Sequence, residues 1–418
     1  MLNRITVPGA LALALLSATQ SWAASEVDLD AIRQEIRDLK ANYEARIKAL
    51  EERLQEAEAR AAQAQQPPPA VIAAPSTPTS SLSAFNPAIS VVLQGRYANL
   101  SRDPAGFAIP GFTTGGEIGP GRRGLSLSES ELAIFANVDD KFAGNLIVSL
   151  SPENEVSVEE AYGLYLGAPF GVTPKFGRFF SGIGYLNEQH QHAWDFVDAP
   201  LAYQAFLGGQ YANDGVQLKW VAPVEHFVEL GAEAGNGDAF PGGPRNKNGI
   251  GSAALYAHMG GDIGLSHSWR AGVSYLRTHA PDVDSANRLT IADFVWKWAP
   301  NGNVRQTNFK LQGEYFRSSS PQSGWYLQGV YQFMPTWRVG ARYDRLDPGQ
   351  VDYGGAGAYL PASDYGPKRW SAMVDWSPSE FSRLRLQFAQ ARLLPDMTDN
   401  QWFVQYILSL GAHGAHKY

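Results

Sequence analysis

Cysteine is absent from the 418 residues of this sequence. A chain without cysteine has no disulfide framework, no thiolate metal ligand and no cysteine nucleophile. A run of eighteen consecutive apolar residues is also absent, which excludes a membrane-spanning helix. Positive charge is not in excess, because the net charge is −7 at pH 7, and this balance argues against nucleic acid as a partner.

Motifs of the common enzyme classes are missing as well. No glycine-rich phosphate loop precedes a helix, no His-Glu-x-x-His run occurs, and no nucleophile elbow is present. Patterns such as Gly182-Ile183-Gly184 are typical of turns. The sequence therefore predicts a protein that is not an enzyme and that uses no cofactor.

The first 23 residues have the features of a secretory signal peptide. Arg4 supplies a positive charge, an apolar run follows at 10–16, and small residues precede a cleavage site after Ala23. The apolar run is too short to span a bilayer, so an anchor helix is the weaker alternative. We therefore predict a signal peptide over 1–23 and an exported protein.

Residues 26–62 carry apolar side chains at spacings of three and four, with Glu, Lys and Arg between them. This pattern predicts an α-helical coiled coil, and a single amphipathic helix is the alternative. The apolar seam consists of Leu29, Ile32, Ile36, Leu39, Tyr43, Ile47, Leu50, Leu54 and Ala57. Residues 63–88 are rich in proline, alanine and serine, so we predict an extended linker there.

From residue 89 to residue 418 the apolar side chains alternate with a period of two. Trp402, Val404 and Tyr406 fall on one face of a strand, and Gln401 and Gln405 fall on the other. An apolar, aromatic-rich face opposite a polar face is typical of a strand between lipid and water. The pattern predicts about sixteen strands, at 89–100, 125–137, 141–150, 156–166, 173–181, 213–221, 226–234, 250–259, 267–277, 288–298, 305–317, 323–333, 336–346, 369–376, 381–392 and 400–410.

The links between these strands alternate in length. Links after even-numbered strands are short, whereas the long links follow odd-numbered strands, at 101–124, 182–212, 235–249, 278–287 and 347–368. Barrels of the outer membrane have long loops outside and short turns on the periplasmic side. The predicted fold class is therefore all-β: a transmembrane antiparallel β-barrel, preceded by a short periplasmic α-helical coiled coil.

The link at 182–212 is the longest, and it is too apolar for a loop in water. We expect it to fold into the barrel lumen, and packing outside the barrel or on a neighbouring subunit is the alternative. In the lumen its polar members would narrow the pore and set its selectivity; these constriction candidates are Glu188, His190, His192, Asp195 and Asp198. The two histidines could bind a metal, but polar lining without a metal is the favoured interpretation, because no third ligand can be assigned.

Six arginines have inward parity in the predicted strands, since a charged side chain on the lipid face is costly. These candidates for basic pore lining are Arg96, Arg178, Arg338, Arg342, Arg383 and Arg385. Rows of basic side chains in a lumen favour anions. The alternative is that the arginines pair with lumenal carboxylates such as Asp344 and Asp375 and hold the strands in position.

Short motifs within 122–181 have a familiar arrangement. They are Arg122-Arg123 at the start of a strand, Val158-Glu159-Glu160-Ala161-Tyr162 in a middle strand, and Pro174-Lys175-Phe176-Gly177-Arg178. Together with the signal peptide, coil, linker and barrel, they resemble the phosphate-selective porin (O/P-type) family. The resemblance implies a trimeric diffusion channel, in some members selective for phosphate through lysines and arginines at the constriction. The loop at 182–212 departs from that pattern, because it contains no Lys or Arg.

We therefore expect an outer-membrane porin that allows passive diffusion of small solutes or ions, with anions such as phosphate as one candidate class. The alternative is a structural anchor that tethers the membrane to the cell wall through the coiled coil. Expected partners are outer-membrane lipid and further copies of the chain in a homotrimer. The aromatic Tyr418 after the last strand resembles the assembly signal of outer-membrane barrels, which implies the barrel-assembly machinery as another partner.

Overall fold

A computed structural model describes residues 87–244, 248–279, 286–349 and 365–411 of the protein. The predicted signal peptide (1–23), the predicted coiled coil (26–62), the predicted linker up to residue 86, and Tyr418 lie outside the described residues. Within the described ranges, no helix has both the length and the apolar character needed to cross a membrane.

Strands make up most of the described chain. They are β1 (Ala88–Leu100), β2 (Gly124–Leu127), β3 (Ser130–Asn137), β4 (Phe142–Leu150), β5 (Val156–Tyr165), β6 (Val172–Phe180), β7 (Ala212–Val221), β8 (Phe227–Gly235), β9 (Ser252–Ile263), β10 (His267–His279), β11 (Ala286–Trp298), β12 (Asn308–Ser318), β13 (Ser323–Met334), β14 (Trp337–Asp347), β15 (Lys368–Ser379), β16 (Ser382–Leu394) and β17 (Met397–Gly411). One α-helix of the described residues, α1 (Leu201–Leu207), lies between β6 and β7.

The sheet closes on itself. Each strand pairs antiparallel with its neighbour along the chain, and β1 pairs with β17, as in the pair Tyr97 and Val404. Both β2 and β3 pair with β1, and only residues 128–129 separate them, so the two segments form one interrupted strand of the barrel. The seventeen segments therefore make a sixteen-strand antiparallel barrel, which confirms the barrel in the predicted fold class, while the coiled coil predicted before it stays a prediction.

The two faces of the barrel wall differ in polarity. In β17 the side chains of Trp402 and Tyr406 are 49% and 44% exposed, whereas the residue before each of them, Gln401 and Gln405, is 1% and 4% exposed. The exposed side chains point outward and are apolar or aromatic, as a surface in contact with lipid requires. The inward side chains are largely polar, which confirms the alternation predicted for the last strand.

The links define two ends of the barrel. The strand ends that flank the long links 101–123, 181–211, 236–251 and 348–367 lie at one end, called here the long-loop end. The turns 138–141, 222–226, 264–266, 335–336 and 380–381 lie at the other, called here the short-turn end, together with the somewhat longer links 166–171 and 299–307. Links 151–155 and 395–396 at the long-loop end are short. Among the links between described strands, those of more than nine residues all join strand ends at the long-loop end.

An apolar core fills the lumen towards the long-loop end. Every residue of α1 is buried, and Phe206 contacts Phe112 of link 101–123 with ring centroids 5.4 Å apart. On the barrel wall, Phe316 packs edge-on against Tyr203 at 5.1 Å. The link approaches the end of the helix so closely that a Cβ at Gly116 (φ +69°) would collide with the carbonyl oxygen of Gly208, so glycine is required there.

Candidate functional site

Residues 181–211, called here the inserted loop, lie inside the barrel. Their backbone N–H groups donate to side chains of the inner wall: that of Tyr185 to Glu314 of β12 at 3.0 Å, and that of Leu201 to Asp344 of β14 at 2.8 Å. Backbone groups held in a lumen need such partners because bulk water is excluded. The structure thus confirms the expectation that this segment folds inward.

One half of the inserted loop carries aspartates that meet a basic wall. Asp195 lies 2.5 Å from Nζ of Lys310 on β12 and 3.2 Å from Nη1 of Arg338 on β14. Asp198 forms ion pairs with Arg342 of β14, at 3.0 Å, and with Arg369 of β15. Four basic side chains from three strands therefore hold two aspartates, and we call this contact the aspartate side.

The pKa values of the two aspartates follow from this setting. Burial alone would raise them, but the charges of Lys310 and Arg338 lower the pKa of Asp195 below its usual range. The pKa of Asp198 is lowered as well, because Arg369 and Arg342 outweigh its burial. Both carboxylates are therefore ionised at neutral pH, and the ion pairs on the aspartate side are permanent.

The inward arginines also bind the loop backbone. Arg385 donates from Nη2 to the carbonyl oxygen of Trp194 at 2.8 Å, and its Nε donates to Asp375 at 2.8 Å. Arg342 donates to the carbonyl oxygen of Asp198 at 2.8 Å. A guanidinium offers several donors in a rigid plane, so one arginine can hold both a wall carboxylate and a loop carbonyl.

The other half of the inserted loop meets an acidic wall through two histidines. Nδ1 of His190 lies 3.1 Å from Glu159 and 3.4 Å from Glu131, and its Nε2 lies 3.2 Å from Glu160. His192 contacts Glu131 through Nδ1 at 2.9 Å. We call this contact the histidine side. Burial lowers the pKa of His190, but hydrogen bonds to Glu159 and Glu160 outweigh it and raise that pKa well above its usual value.

A β-bulge accounts for the two consecutive carboxylates on this wall. In the pairing of β4 with β5, Ile147 faces Glu160 while the next residue, Val148, faces Val158. Glu159 is thus an extra residue, and a bulge of this kind changes the alternation of a strand. Because of it, both Glu159 and Glu160 reach the inserted loop, where a regular strand would turn one of them outward.

A cavity of about 1270 Å³, with charged side chains in its lining, lies in the lumen towards the short-turn end. The acidic wall and the basic wall both line it. Its charged lining includes Glu131, Glu160, Lys297, Lys310, Arg338 and Arg383, and from the inserted loop Glu188, His190, His192 and Asp195. Strand residues and loop residues of opposite charge therefore face one space.

The five constriction candidates occupy different positions. Glu188, His190, His192 and Asp195 line the cavity, whereas Asp198 is buried among arginines and does not. Glu188 lies 3.2 Å from Nζ of Lys219 on β7. The set is thus brought into the lumen as a whole, but Asp198 is placed as an anchor of the loop and not as a lining residue.

The six arginine candidates also separate. Arg338 and Arg383 line the cavity, and Arg342 and Arg385 are buried where they hold the loop. Arg96 lies inward against link 101–123, because a Cβ at Gly121 would collide with its guanidinium. The alternative interpretation, pairing with Asp344 and Asp375, therefore describes several of these arginines correctly.

The prediction for Arg178 was wrong. Arg178 pairs across the strands with Asp214, to which it donates at 2.6 Å, and both side chains are more than 40% exposed. They point outward with Phe176 and Val216, while Lys175 takes the inward position. A charged side chain is tolerated on the outer face here because a carboxylate lies directly opposite it.

Several residues of the site were not identified from the sequence. Glu131, Glu159 and Glu160 form the acidic wall, Lys310 and Arg369 hold the aspartates, and Glu314 accepts hydrogen bonds from Tyr185, Leu186 and Tyr203. Their inward parity was a usable signal for Lys310 and Glu314. The bulge removed that signal for Glu159, because it changes the parity of its strand.

The fold and the inserted loop define the class: an antiparallel outer-membrane-type β-barrel whose lumen holds one of its own loops. Three solved structures share the fold. A loop-deletion mutant of the outer membrane protein OmpT of Vibrio cholerae has a TM-score of 0.52 at 12% identity, covering 78% of this chain and 100% of that chain. The trimer form of Vibrio cholerae OmpT has a TM-score of 0.51 at 11% identity, covering 78% of this chain and 100% of that chain. Salmonella typhi OmpF, in complex with daunomycin, has a TM-score of 0.51 at 12% identity, covering 78% of this chain and 98% of that chain.

Sequence comparison identifies a relative. No family model matches the chain. An uncharacterized protein of Aquifex aeolicus (strain VF5) is 30% identical over 385 residues, which cover 80% of this chain and 80% of that protein. The chain belongs to the same protein family as this relative.

Proposed function

We propose that this protein is an outer-membrane porin through which small polar solutes or ions diffuse passively. The observation that carries the proposal is the cavity of about 1270 Å³, lined by charged side chains of both signs, inside a barrel whose outer face is apolar. An apolar outer belt fits a lipid bilayer, and a polar, charged interior fits water and dissolved solutes. The shared fold with OmpF of Salmonella typhi agrees with this assignment.

The finer proposal is that anions, such as phosphate, use the basic wall. Lys297, Lys310, Arg338 and Arg383 line one side of the cavity. Nε of Arg383 is buried and has no hydrogen-bond partner among the described residues. A buried donor of this kind is costly unless a passing acceptor satisfies it. This pattern supports a member of the phosphate-selective porin type, for which the basic wall would form the anion path.

Conductance of the purified protein in planar bilayers tests the main proposal. The apolar core at the long-loop end narrows the lumen, so we expect small conductance steps in the wild type. Replacing residues 185–207 with a short Gly-Ser linker should increase the step several-fold, because it removes α1 and the loop from the lumen. A matched control shortens link 236–251 at the same end. Absence of steps in all three folded proteins would contradict a channel and favour the structural anchor.

We further propose that the barrel functions as a homotrimer, with Arg178 and Asp214 in the contact between subunits. This ion pair lies on the outer face, where contact with lipid is unfavourable for charge. The residue opposite Arg178 on the adjacent strand is Ala161, whose small side chain adds little bulk beside the ion pair. Replacing both charged residues, with Arg178→Gln and Asp214→Asn, should lower the temperature at which oligomers dissociate on semi-native gels. Deletion of 26–62 tests the proposed contribution of the coiled coil in the same assay.

A further inference from the structure

Three side chains on the histidine side converge on one point. His190 of the inserted loop, Glu131 of β3 and Glu159 of β5 each bring one ligand atom within 4.8 Å of the other two. An imidazole nitrogen with two carboxylate oxygens is a donor set that suits Zn²⁺ and related divalent transition metals. We propose that these three residues bind a divalent transition-metal ion, for which Zn²⁺ is the probe.

Two of the three separations between the ligand atoms are close to those around a bound ion. Nδ1 of His190 lies 3.1 Å from Oε2 of Glu159 and 3.4 Å from Oε2 of Glu131, and the two carboxylates offer oxygens within 4.8 Å of each other. Ligands at about 2.0–2.2 Å from a tetrahedral zinc ion lie roughly 3.4 Å from each other. Nδ1 of His190 would therefore move little relative to either carboxylate on binding the ion.

The surrounding side chains provide the support that metal ligands usually have. A metal-bound histidine almost always donates its other ring N–H to a carboxylate or carbonyl. Nε2 of His190 lies 3.2 Å from Oε2 of Glu160, which leaves Nδ1 for the metal. His192 contacts the second oxygen of Glu131 at 2.9 Å and so orients that carboxylate.

The charge of the site favours a divalent cation. Three carboxylates surround His190, and a proton on the imidazole neutralises only one of them. A divalent ion bound at Nδ1 neutralises two, and it must displace the proton from that nitrogen, since the same lone pair binds either. The proton and the metal therefore compete for Nδ1 of His190. The same arrangement of side chains can hold either the protonated imidazole or the metal ion.

An ion can reach the site through the cavity. Glu131, His190 and Glu160 line the cavity, and the side chains of His190 and Glu159 are 14% and 10% exposed. An ion that enters the cavity can therefore reach these side chains. A bound ion would join the inserted loop to β3 and β5, which would hold the histidine side as firmly as the ion pairs hold the aspartate side.

Calorimetric titration of the full-length folded protein with ZnCl₂ tests the proposal, after chelator treatment and with an affinity tag free of histidine. We expect one site per chain, with weaker binding of Mg²⁺ and Ca²⁺, because imidazole suits zinc better. His190→Gln and Glu159→Gln should each weaken binding by at least the 10–100-fold that is roughly typical of lost outer-shell partners. His267→Gln and Glu188→Gln are matched controls, since both residues line the same cavity outside the cluster.

The outcomes are distinguishable from those of the channel proposal, because binding is measured without conductance. Zinc binding that is lost in His190→Gln and kept in both controls would support the site. No zinc uptake by the wild type would overturn it, and so would equal uptake by the wild type and His190→Gln. If one substitution prevents folding, the wild type and the other ligand variant still decide the question.

Discussion

The aspartate side and the histidine side hold the same loop by different means. On the aspartate side, Asp195 and Asp198 meet lysine and arginine side chains whose charges persist at every ordinary pH. On the histidine side, His190 and His192 meet three glutamates, and their contacts depend on what occupies the imidazole nitrogens. The loop thus spans the lumen between a basic wall and an acidic wall and carries the opposite kind of group to each.

The two contacts compensate the burial of charged groups in different ways. Removing one member of a buried ion pair leaves a charge without compensation, which is far more costly than the pair itself is favourable. The aspartate side consists of such pairs. The histidine side lies on the cavity, which His190 and His192 both line, so a solute that enters that space can reach this contact.

The largest effect should come from Asp198→Ala. This change leaves Arg342 and Arg369 buried with Asp344 as the remaining carboxylate, and breaking a buried pair costs about 3–5 kcal/mol. If the loop opens locally, cleavage of residues 181–211 by protease should accelerate more than about 100-fold.

Glu188→Ala is the matched control for this experiment. Its partner Lys219 is 3.2 Å away and also contacts a second carboxylate, that of Glu229, at 3.5 Å, so removing Glu188 does not leave the lysine without a counter-charge. Equal protease resistance of Asp198→Ala and the wild type would mean that the basic wall does not hold the loop.

Acidification should affect the aspartate side only at low pH. The pKa values of Asp195 and Asp198 are lowered in the folded protein. Their contribution to stability is therefore complete above the unfolded value of about 3.9 and is lost as the pH falls through the folded value. We expect unchanged protease resistance of the loop from pH 7 to about pH 4, and release below that. Release that already occurs near pH 5 would contradict the lowered pKa values.

Arg383→Gln should shift ion selectivity without freeing the loop. Arg383 lines the cavity, and its reported loop contact is a long hydrogen bond of 3.5 Å to the carbonyl oxygen of His192. Loss of its charge should move the reversal potential in a salt gradient towards cation preference and weaken any inhibition of chloride current by phosphate. An unchanged reversal potential would remove Arg383 from the anion path. Arg342→Gln is unsuitable as a control because that residue anchors the loop.

The smallest effect should follow Glu188→Gln. The substitution removes one negative charge from the lining of the cavity and leaves the aspartate side intact. We expect a small shift of the reversal potential towards anions, screened further as the ionic strength increases. A shift larger than that of Arg383→Gln would mean that Glu188, and not the basic wall, dominates the selectivity.

Much of the fold could be predicted from local patterns. Three features could be predicted because each depends on residues close together in sequence. They are the alternation in the last strand, the lengths of the links, and the apolar character of the inserted loop. Five residues of the loop were expected to act together, and the structure brings all five into the lumen. What could not be predicted is which of the five line the cavity and which anchor the loop, since the partners of Asp198 are far away along the chain; Arg342, for example, is 144 residues from it.

One error of the sequence interpretation shows this limit directly. Arg178 was assigned to the lumen because charge is costly in lipid, yet Asp214 on the neighbouring strand compensates it on the outer face. The carboxylates that meet His190, those of Glu131 and Glu159, likewise come from strands far from it in sequence. In both places the partner belongs to another strand.

The sequence by itself determined the barrel, because a wall between lipid and water imposes a period of two that each strand carries in its own residues. It also determined that residues 182–212 would be buried, because their composition is too apolar for solvent. The tertiary structure decided which charges meet, through barrel closure and the bulge at Glu159. The physical reason is range: side-chain parity is a local property of a strand, whereas ion pairs and ligand sets depend on register between strands.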